Sequence, residues 1–400
     1  MDDAPGLEAV VKDLISADSY ALDTEFHRER TYYARLALLQ IAWNDQIVLV
    51  DPLAVDVGQL RDVLVRDVPC VMHAASQDLA ILERACGALP GLLVDTQIAA
   101  GFVGLGSPGL GVLLQRRLGM TVPKADRLTD WLHRPLGRSA AAYAAADVAH
   151  LHALWDSLAE ELEQRGRLSW ALDECEGIRL RYGEPLDPEQ AWWRIKEARR
   201  LKGRARHVAQ TVAAWRERRA QRVDRPVRHV LPDLAVVAIA ERPPRGRDQL
   251  QRVRGLDGRH LRGGAAAELL KAIEQGVTLS DGDLRVPERD GIDPAVRPSV
   301  ALASAWISQI AHDLHLDASL LATRADIEAL VRGDGSSRLL SGWRAEVAGE
   351  PVRRLLSGQA ALAFNGDGGL LIEARSHRPI TEGASDAQLD REASTRGRKR

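Results

Sequence analysis

The first part of the chain alternates short apolar runs with amphipathic stretches. Residues 19–26 (SYALDTEF), 34–43 (ARLALLQIAW) and 46–51 (QIVLVD) have the length and composition of strands. Asn44-Asp45 separates the second from the third and is a two-residue turn signal, so the first three strands are expected to form an antiparallel meander. PCVMHAA (69–75) predicts a fourth strand, and a helix starts directly after it in SQDLAILERAC. LLVDTQ (92–97) predicts a fifth strand, with Asp95-Thr96 opening another helix. The Gly-rich stretch at 104–111 reads as a loop, and no GKS or GKT follows to make it a phosphate cradle. An Ala-rich pattern predicts one long helix over 139–164. Such alternation implies an α/β domain ending near residues 165–190.

Beyond that point the pattern is helical. Helices are expected near 189–201, 204–221, 233–241, 246–254 and 262–274. The polar, Gly- and Pro-containing stretch 278–298 reads as a linker. A second set follows at about 299–314, 317–322, 324–332, 336–347 and 350–357. The two sets resemble a diverged repeat. In each, an Asp (Asp233, Asp317) opens a short helix, and a helix ending at Gly follows (Gly255, Gly333). From about 374 the chain is polar and charged, the composition of a disordered tail.

A chain of 400 residues is too long for one ordinary core. No run approaches the roughly 20 apolar residues that span a bilayer, and the acidic start is unlike a signal peptide, so a cytoplasmic protein with no membrane role is expected. Cys70, Cys86 and Cys175 form no CxxC pair, which argues against a disulfide framework and a zinc site. The net charge of −2 is unevenly spread. Residues 191–262 carry 20 Lys/Arg against 7 Asp/Glu, whereas 296–366 carry 7 of each. A basic segment of this kind is either a nucleic-acid-facing surface or a solvated helical face. Its Arg residues, Arg204, Arg206 and Arg216 among them, interleave with Trp, and Arg suits phosphate and base stacking. By balance of charge the second helical set is not the main nucleic-acid contact.

Two carboxylates stand two residues apart inside the first apolar run. Asp23 and Glu25 point to one face of that strand, and a carboxylate in a core strand needs a partner or a metal. Asp78 sits at the start of the next helix, and Tyr143 and Asp147 share a helix face at i, i+4. Four convergent carboxylates repel one another and need cations, and an all-oxygen set suits Mg²⁺ or Mn²⁺. Taken singly, each has an ordinary explanation: a solvated acid, a helix N-terminal acid, a core ring.

D-T-E on the first strand, H-A-A-S-Q-D-L in the middle and Y-A-A-A-D-V at the end resemble the three exonuclease motifs of the DEDD superfamily, in its DEDDy branch. Leu38-Leu39-Gln40-Ile41-Ala42, Asp95-Thr96-Gln97, Lys124, Asp130-Trp131 and Arg134-Pro135-Leu136 extend the likeness to the ribonuclease D family. The helical sets resemble HRDC domains. The resemblance implies an RNase H-like α/β exonuclease domain, a mixed sheet flanked by helices, at 1–190. It implies two small all-α HRDC-like domains at 204–280 and 298–366, joined by a linker at 281–297, with the tail at 374–400. It further implies a 3′→5′ exoribonuclease releasing nucleoside 5′-monophosphates from RNA with a single-stranded 3′ end, tRNA precursors among the candidates. Two divalent ions, Mg²⁺ or Mn²⁺, would be held by Asp23, Glu25, Asp78 and Asp147, with Tyr143 placing the attacking water. Lys124 and Arg134 are candidate phosphate contacts, and Arg28 and Arg30 candidates for the approach to the site. A 3′→5′ exodeoxyribonuclease and a non-catalytic nucleic-acid-binding scaffold are the alternatives, and the oligomeric state is not legible.

Overall fold

The computed structural model describes residues 1–122, 129–181, 187–286 and 294–376. The five apolar runs become strands β1 (Tyr20–His27), β2 (Arg35–Trp43), β3 (Gln46–Val50), β4 (Pro69–Met72) and β5 (Leu92–Asp95), in one sheet of order β3-β2-β1-β4-β5. β1 to β3 form the expected antiparallel meander, and β4 and β5 add in parallel, giving a mixed sheet. Asn44 in the β2–β3 turn has φ 49°, a conformation that Asn tolerates better than most residues. β1 is the central strand, so its polar residues lie in the middle of the domain.

Helices flank the sheet. They are α1 (Ala4–Ile15), α2 (Arg61–Leu64), α3 (Asp78–Cys86), α4 (Thr96–Phe102), α5 (Leu110–Leu118), α6 (Arg138–Ala149), α7 (Leu151–Gln164) and α8 (Leu168–Arg181). The Ala-rich stretch is two helices rather than one, because the backbone at His150 leaves helical geometry (φ −119°, ψ 7°). The break lets α6 lie on β1, β2 and β3 while α7 packs on β4, α4 and α5. Strand β4 stops at Met72, earlier than expected. Ala74 turns into the left-handed region (φ 58°), and the N–H groups of Ala74 and Ala75 donate to the Asp95 carboxylate at 3.0 and 2.8 Å.

The basic segment builds a helical core. Its elements are α9 (Arg204–Val223), α10 (Val227–Val230), α11 (Asp233–Glu241), α12 (Arg247–Leu250) and α13 (Ala265–Thr278). The expected helix at 189–201 is instead two 3₁₀ segments, Pro188–Arg194 and Ala198–Arg200, and that at 246–254 shrinks to α12. Trp192 is fully buried and donates its indole N–H to the Arg285 carbonyl at 2.9 Å; buried Trp215 donates to Glu268 at 3.1 Å. These rings anchor the core rather than a base.

This core and the nuclease part belong to one unit, residues 1–290. A strap after β1 joins them. The Tyr32 hydroxyl donates to Glu217 on α9 at 2.6 Å and accepts from Gln221 at 3.0 Å. The backbone N–H groups of Tyr32 and Tyr33 both donate to Asp224 at 3.1 Å.

The second unit, residues 291–400, contains α14 (Arg297–Leu314), α15 (Ala318–Leu321), α16 (Arg324–Arg332), α17 (Gly342–Arg344) and α18 (Glu350–Leu356). Asp317 caps α15, and α16 ends at Gly333 with φ 73°. A hairpin of β6 (Ala360–Phe364) and β7 (Leu370–Ala374) follows, which the helical reading did not foresee. The expected tail thus begins inside β7 at Ala374, and residues 377–400 lie outside the described residues. Among the described residues no helix is long and apolar enough to cross a membrane.

Candidate active site

Asp23 and Glu25 occupy one face of β1, the face covered by α6. Asp78 is the first residue of α3 and is buried. Its place is fixed from two sides. Asp95 holds the preceding turn, and the Thr24 hydroxyl donates to the Asp78 carboxylate. Asp147 comes from α6, hydrogen-bonded to the Tyr143 phenol one turn earlier. The Trp131 ring stands 6.2 Å from that of Tyr143. Thus the five residues expected from the motifs come from β1, α3 and α6 and face one another.

The electrostatics report the crowding. Burial pushes the Asp23 carboxyl well above its ordinary range, and the charges of Asp78, Asp147 and Glu25 push it further. Glu25 rises to about 7, by burial first and then by Asp147 and Asp78. Asp78 and Asp147 each rise to about 6 through burial, against opposing hydrogen bonds from Thr24 and Tyr143 respectively. Burial and the neighbouring carboxylates also raise Tyr143, so its phenol keeps its proton at neutral pH.

These shifts describe four acids short of positive charge, and the donor set fits hard divalent cations. Among the described residues no three acidic, imidazole or thiol groups are arranged so that they could hold a metal ion by themselves.

A further residue belongs to this group. Gln40 on β2 pairs directly with Asp23 across the ladder, so the two side chains share a face. Gln40 is fully buried, and neither atom of its amide has a hydrogen-bond partner within the protein. The sequence pattern singled out its segment without giving it a role.

The candidate cationic contacts fare differently. Lys124 lies outside the described residues. Arg134 spends all its donors on the fold. It makes a bidentate pair with Asp51 and donates to the carbonyls of Ala37, Trp131 and His133, so no N–H is left for phosphate. Arg216 is 3% exposed and pairs with Asp233 at 2.6 Å and the Leu231 carbonyl at 3.0 Å, a core cation rather than a surface one. Arg206 is partly buried with its guanidinium 5.6 Å from the Trp192 ring, and Arg204 is exposed. Much of the basic excess is internally paired: Arg218 with Glu189, Arg219 and Arg222 with Glu268, Arg228 with Asp233.

Comparison with known proteins agrees with the geometry. A family model described as a 3′-5′ exonuclease matches residues 1–163, and one for the HRDC domain matches 205–273. Ribonuclease D of Zymomonas mobilis is 35% identical over 374 residues, covering 90% of this chain and 94% of that protein. The chain belongs to the ribonuclease D family. Ribonuclease D of Escherichia coli is 33% identical over 347 residues, covering 84% of this chain and 92% of its own length. The crystal structure of Escherichia coli RNase D, described as an exoribonuclease involved in structured RNA processing, superposes with a TM-score of 0.78 over 89% of this chain and 98% of that one. The catalytic core of RRP6 from Trypanosoma brucei, at 23% identity and a TM-score of 0.57, shares the fold. The enzyme is a hydrolytic 3′→5′ exoribonuclease that depends on divalent metal.

Proposed function

We propose that the enzyme removes nucleoside 5′-monophosphates one at a time from single-stranded 3′ ends of structured RNAs, tRNA precursors among them. Asp23, Glu25, Asp78 and Asp147 would hold two divalent ions, Mg²⁺ or Mn²⁺. The observation that carries this reading is the convergence of four carboxyl groups from β1, α3 and α6: burial raises all four, and the charges of Asp78 and Asp147 raise Asp23 and Glu25 further. Divalent ions bound there supply charge stabilisation on the phosphate and a more acidic water near neutral pH. Asp23 is the natural shared ligand, since it is central on β1 and feels all three neighbours. Tyr143 cannot act as a general base with its pKa raised. Its protonated phenol instead orients the attacking water while Asp147 fixes the ring.

The second helical set, 298–366, is read as a diverged HRDC-like domain. In support, a long helix, an Asp-associated short helix and a Gly-terminated segment occur in both sets. Its even charge assigns it to positioning rather than to the main RNA contact.

A 5′-labelled RNA with a single-stranded 3′ end, incubated with Mg²⁺, Mn²⁺ or EDTA beside a matched DNA strand, tests the reading. A ladder shortening from the 3′ end, lost in EDTA and weaker on DNA, is expected. RNA that binds and stays intact in both metals would return the scaffold reading.

A further inference from the structure

Tyr143 projects from a helix that gives its ring little to lean on. On α6, Ser139, Ala140 and Ala146 stand at i−4, i−3 and i+3, and only Asp147 at i+4 is larger. The outer torsion of a tyrosine is broad, so the direction of the phenol has to be set from outside the helix. The large group beside it is Trp131. The two ring centroids are 6.2 Å apart and the planes are tilted by 39°, within the range of an interacting aromatic pair. Trp131 lies in the loop that leads into α6, so its own place depends on what fastens that loop.

Arg134 fastens the loop to the sheet. Its Nη1 donates to the carbonyls of Trp131 and His133 at 2.8 and 2.9 Å. Its Nε and Nη2 hold the Asp51 carboxylate just past β3, and Nη2 also donates to the Ala37 carbonyl of β2 at 2.6 Å. Asp51 is itself fixed, since its carboxylate accepts from the Leu53 N–H at 2.9 Å. Ala37 is the extra residue of a β-bulge. Glu25 pairs with Leu38 and Phe26 with Leu36, which leaves Ala37 without a partner on β1. One guanidinium therefore ties the Trp131 backbone to the strand position that adjoins Glu25. A planar fork with five donors in fixed directions can span these acceptors, whereas an ammonium cannot.

We propose that Arg134 is a positioning residue of the nuclease site: it holds Trp131 in register with the β1–β2 bulge, and the Trp131 ring sets the direction of the Tyr143 phenol. The inference rests on the reading above in which this phenol orients the attacking water. Arg134 acts through Trp131 and not on phosphate, because all five of its N–H groups are spent.

A kinetic double-mutant cycle in the full-length protein tests it, on a 5′-labelled RNA with a single-stranded 3′ end in Mg²⁺. Arg134→Lys should lower kcat about tenfold and keep KM within about twofold of wild type, because a misaimed group is felt in the transition state. In a Tyr143→Phe background no phenol remains to be aimed, and the same substitution should lower kcat by less than about twofold. Trp131→Leu removes the ring but keeps the backbone carbonyl that Arg134 holds. It should show the same dependence on the phenol, and it decides the question alone where Arg134→Lys fails to fold. Equal losses in the two backgrounds would overturn the assignment, since a support of the general fold does not depend on the phenol. Wild-type kcat in Trp131→Leu would overturn it as well. Failure of the water-orienting reading looks different: Tyr143→Phe alone would keep wild-type kcat, and the positioning role would fall with it.

Discussion

Gln40 stands directly opposite Asp23 across the β1–β2 ladder, fully buried, with neither its amide oxygen nor its amide nitrogen hydrogen-bonded inside the protein. A buried polar group left in this state costs about 1–3 kcal/mol. A carboxylate site with a catalytic role is a place where such a cost is retained. Gln40→Leu should therefore leave the metal-free protein as stable as wild type or more so, and lower turnover about tenfold. Thermal melting in EDTA and a 3′-end trimming assay measure the two effects. Destabilisation with full turnover would mean that the amide serves only the core.

Asp23→Asn removes a buried carboxyl whose ionisation is opposed by burial and by three neighbouring carboxylates. The metal-free variant should melt higher than wild type, and it should lose the rise in melting temperature that Mg²⁺ or Mn²⁺ gives wild type. Saturation to 100 times the dissociation constant is worth about 2.7 kcal/mol. Activity should vanish in both metals. A wild-type-sized metal shift in the variant would remove Asp23 from the ligand set.

Tyr143→Phe separates orientation from ligation. The ring and its place near Trp131 remain, while the phenol that bonds Asp147 goes. Turnover should fall by about 10²-fold, in the range of a positioned proton-bonding group. The metal-induced melting shift should persist. Near wild-type turnover would dismiss the role.

The strap between β1 and α9 predicts a coupling. In a double-mutant cycle of Tyr32→Phe with Glu217→Gln, the interaction energy should be about 1.5–3 kcal/mol, the range of bonds to charged groups, since Glu217 is buried and Tyr32 half-buried. Hydrogen exchange of residues 28–34 should rise in either single variant. Additive losses would show that the bond does not tie the two parts.

One pH effect belongs to the second unit. Burial opposes ionisation of Asp326, but bonds from Arg338 and Thr323 prevail and draw its pKa down to about 2. A depressed carboxyl stabilises the fold at pH above its unfolded value, near 3.9, and that contribution is lost as pH falls toward 2. Asp326→Asn should cost about 2 kcal/mol at pH 7, and the gap from wild type should narrow between pH 4 and 2. Denaturant unfolding at fixed pH values measures it; a gap constant over that range would refute the linkage.

The meander and the grouping of the five candidate residues are legible because alternation, a turn at Asn44-Asp45 and the motif spacings are local properties of the chain. Arg134 and Arg216 read in sequence as candidate nucleic-acid contacts because their partners, Asp51 and Asp233, are found only by folding. A charge count over a window registers Arg216 as free affinity for phosphate, whereas burial and pairing decide its use. Asp95 was seen as a helix opener; its second task, holding the turn before Asp78, depends on β4 lying beside β5. The hairpin β6–β7 did leave a signal, the turn-rich Asn365-Gly366-Asp367-Gly368-Gly369 between two apolar runs. Nothing local marks the break at His150.

Glu217, Gln221 and Asp224 stand at i, i+4 and i+7, a single stripe at the end of α9, and the strap that they grip begins just past Glu25. The nuclease and its first helical partner are therefore not interchangeable building blocks. A helical domain borrowed from another protein would need the same stripe in the same phase, and a chain cut between them would release the end of the catalytic strand. Recombination can shuffle the two only as a pair.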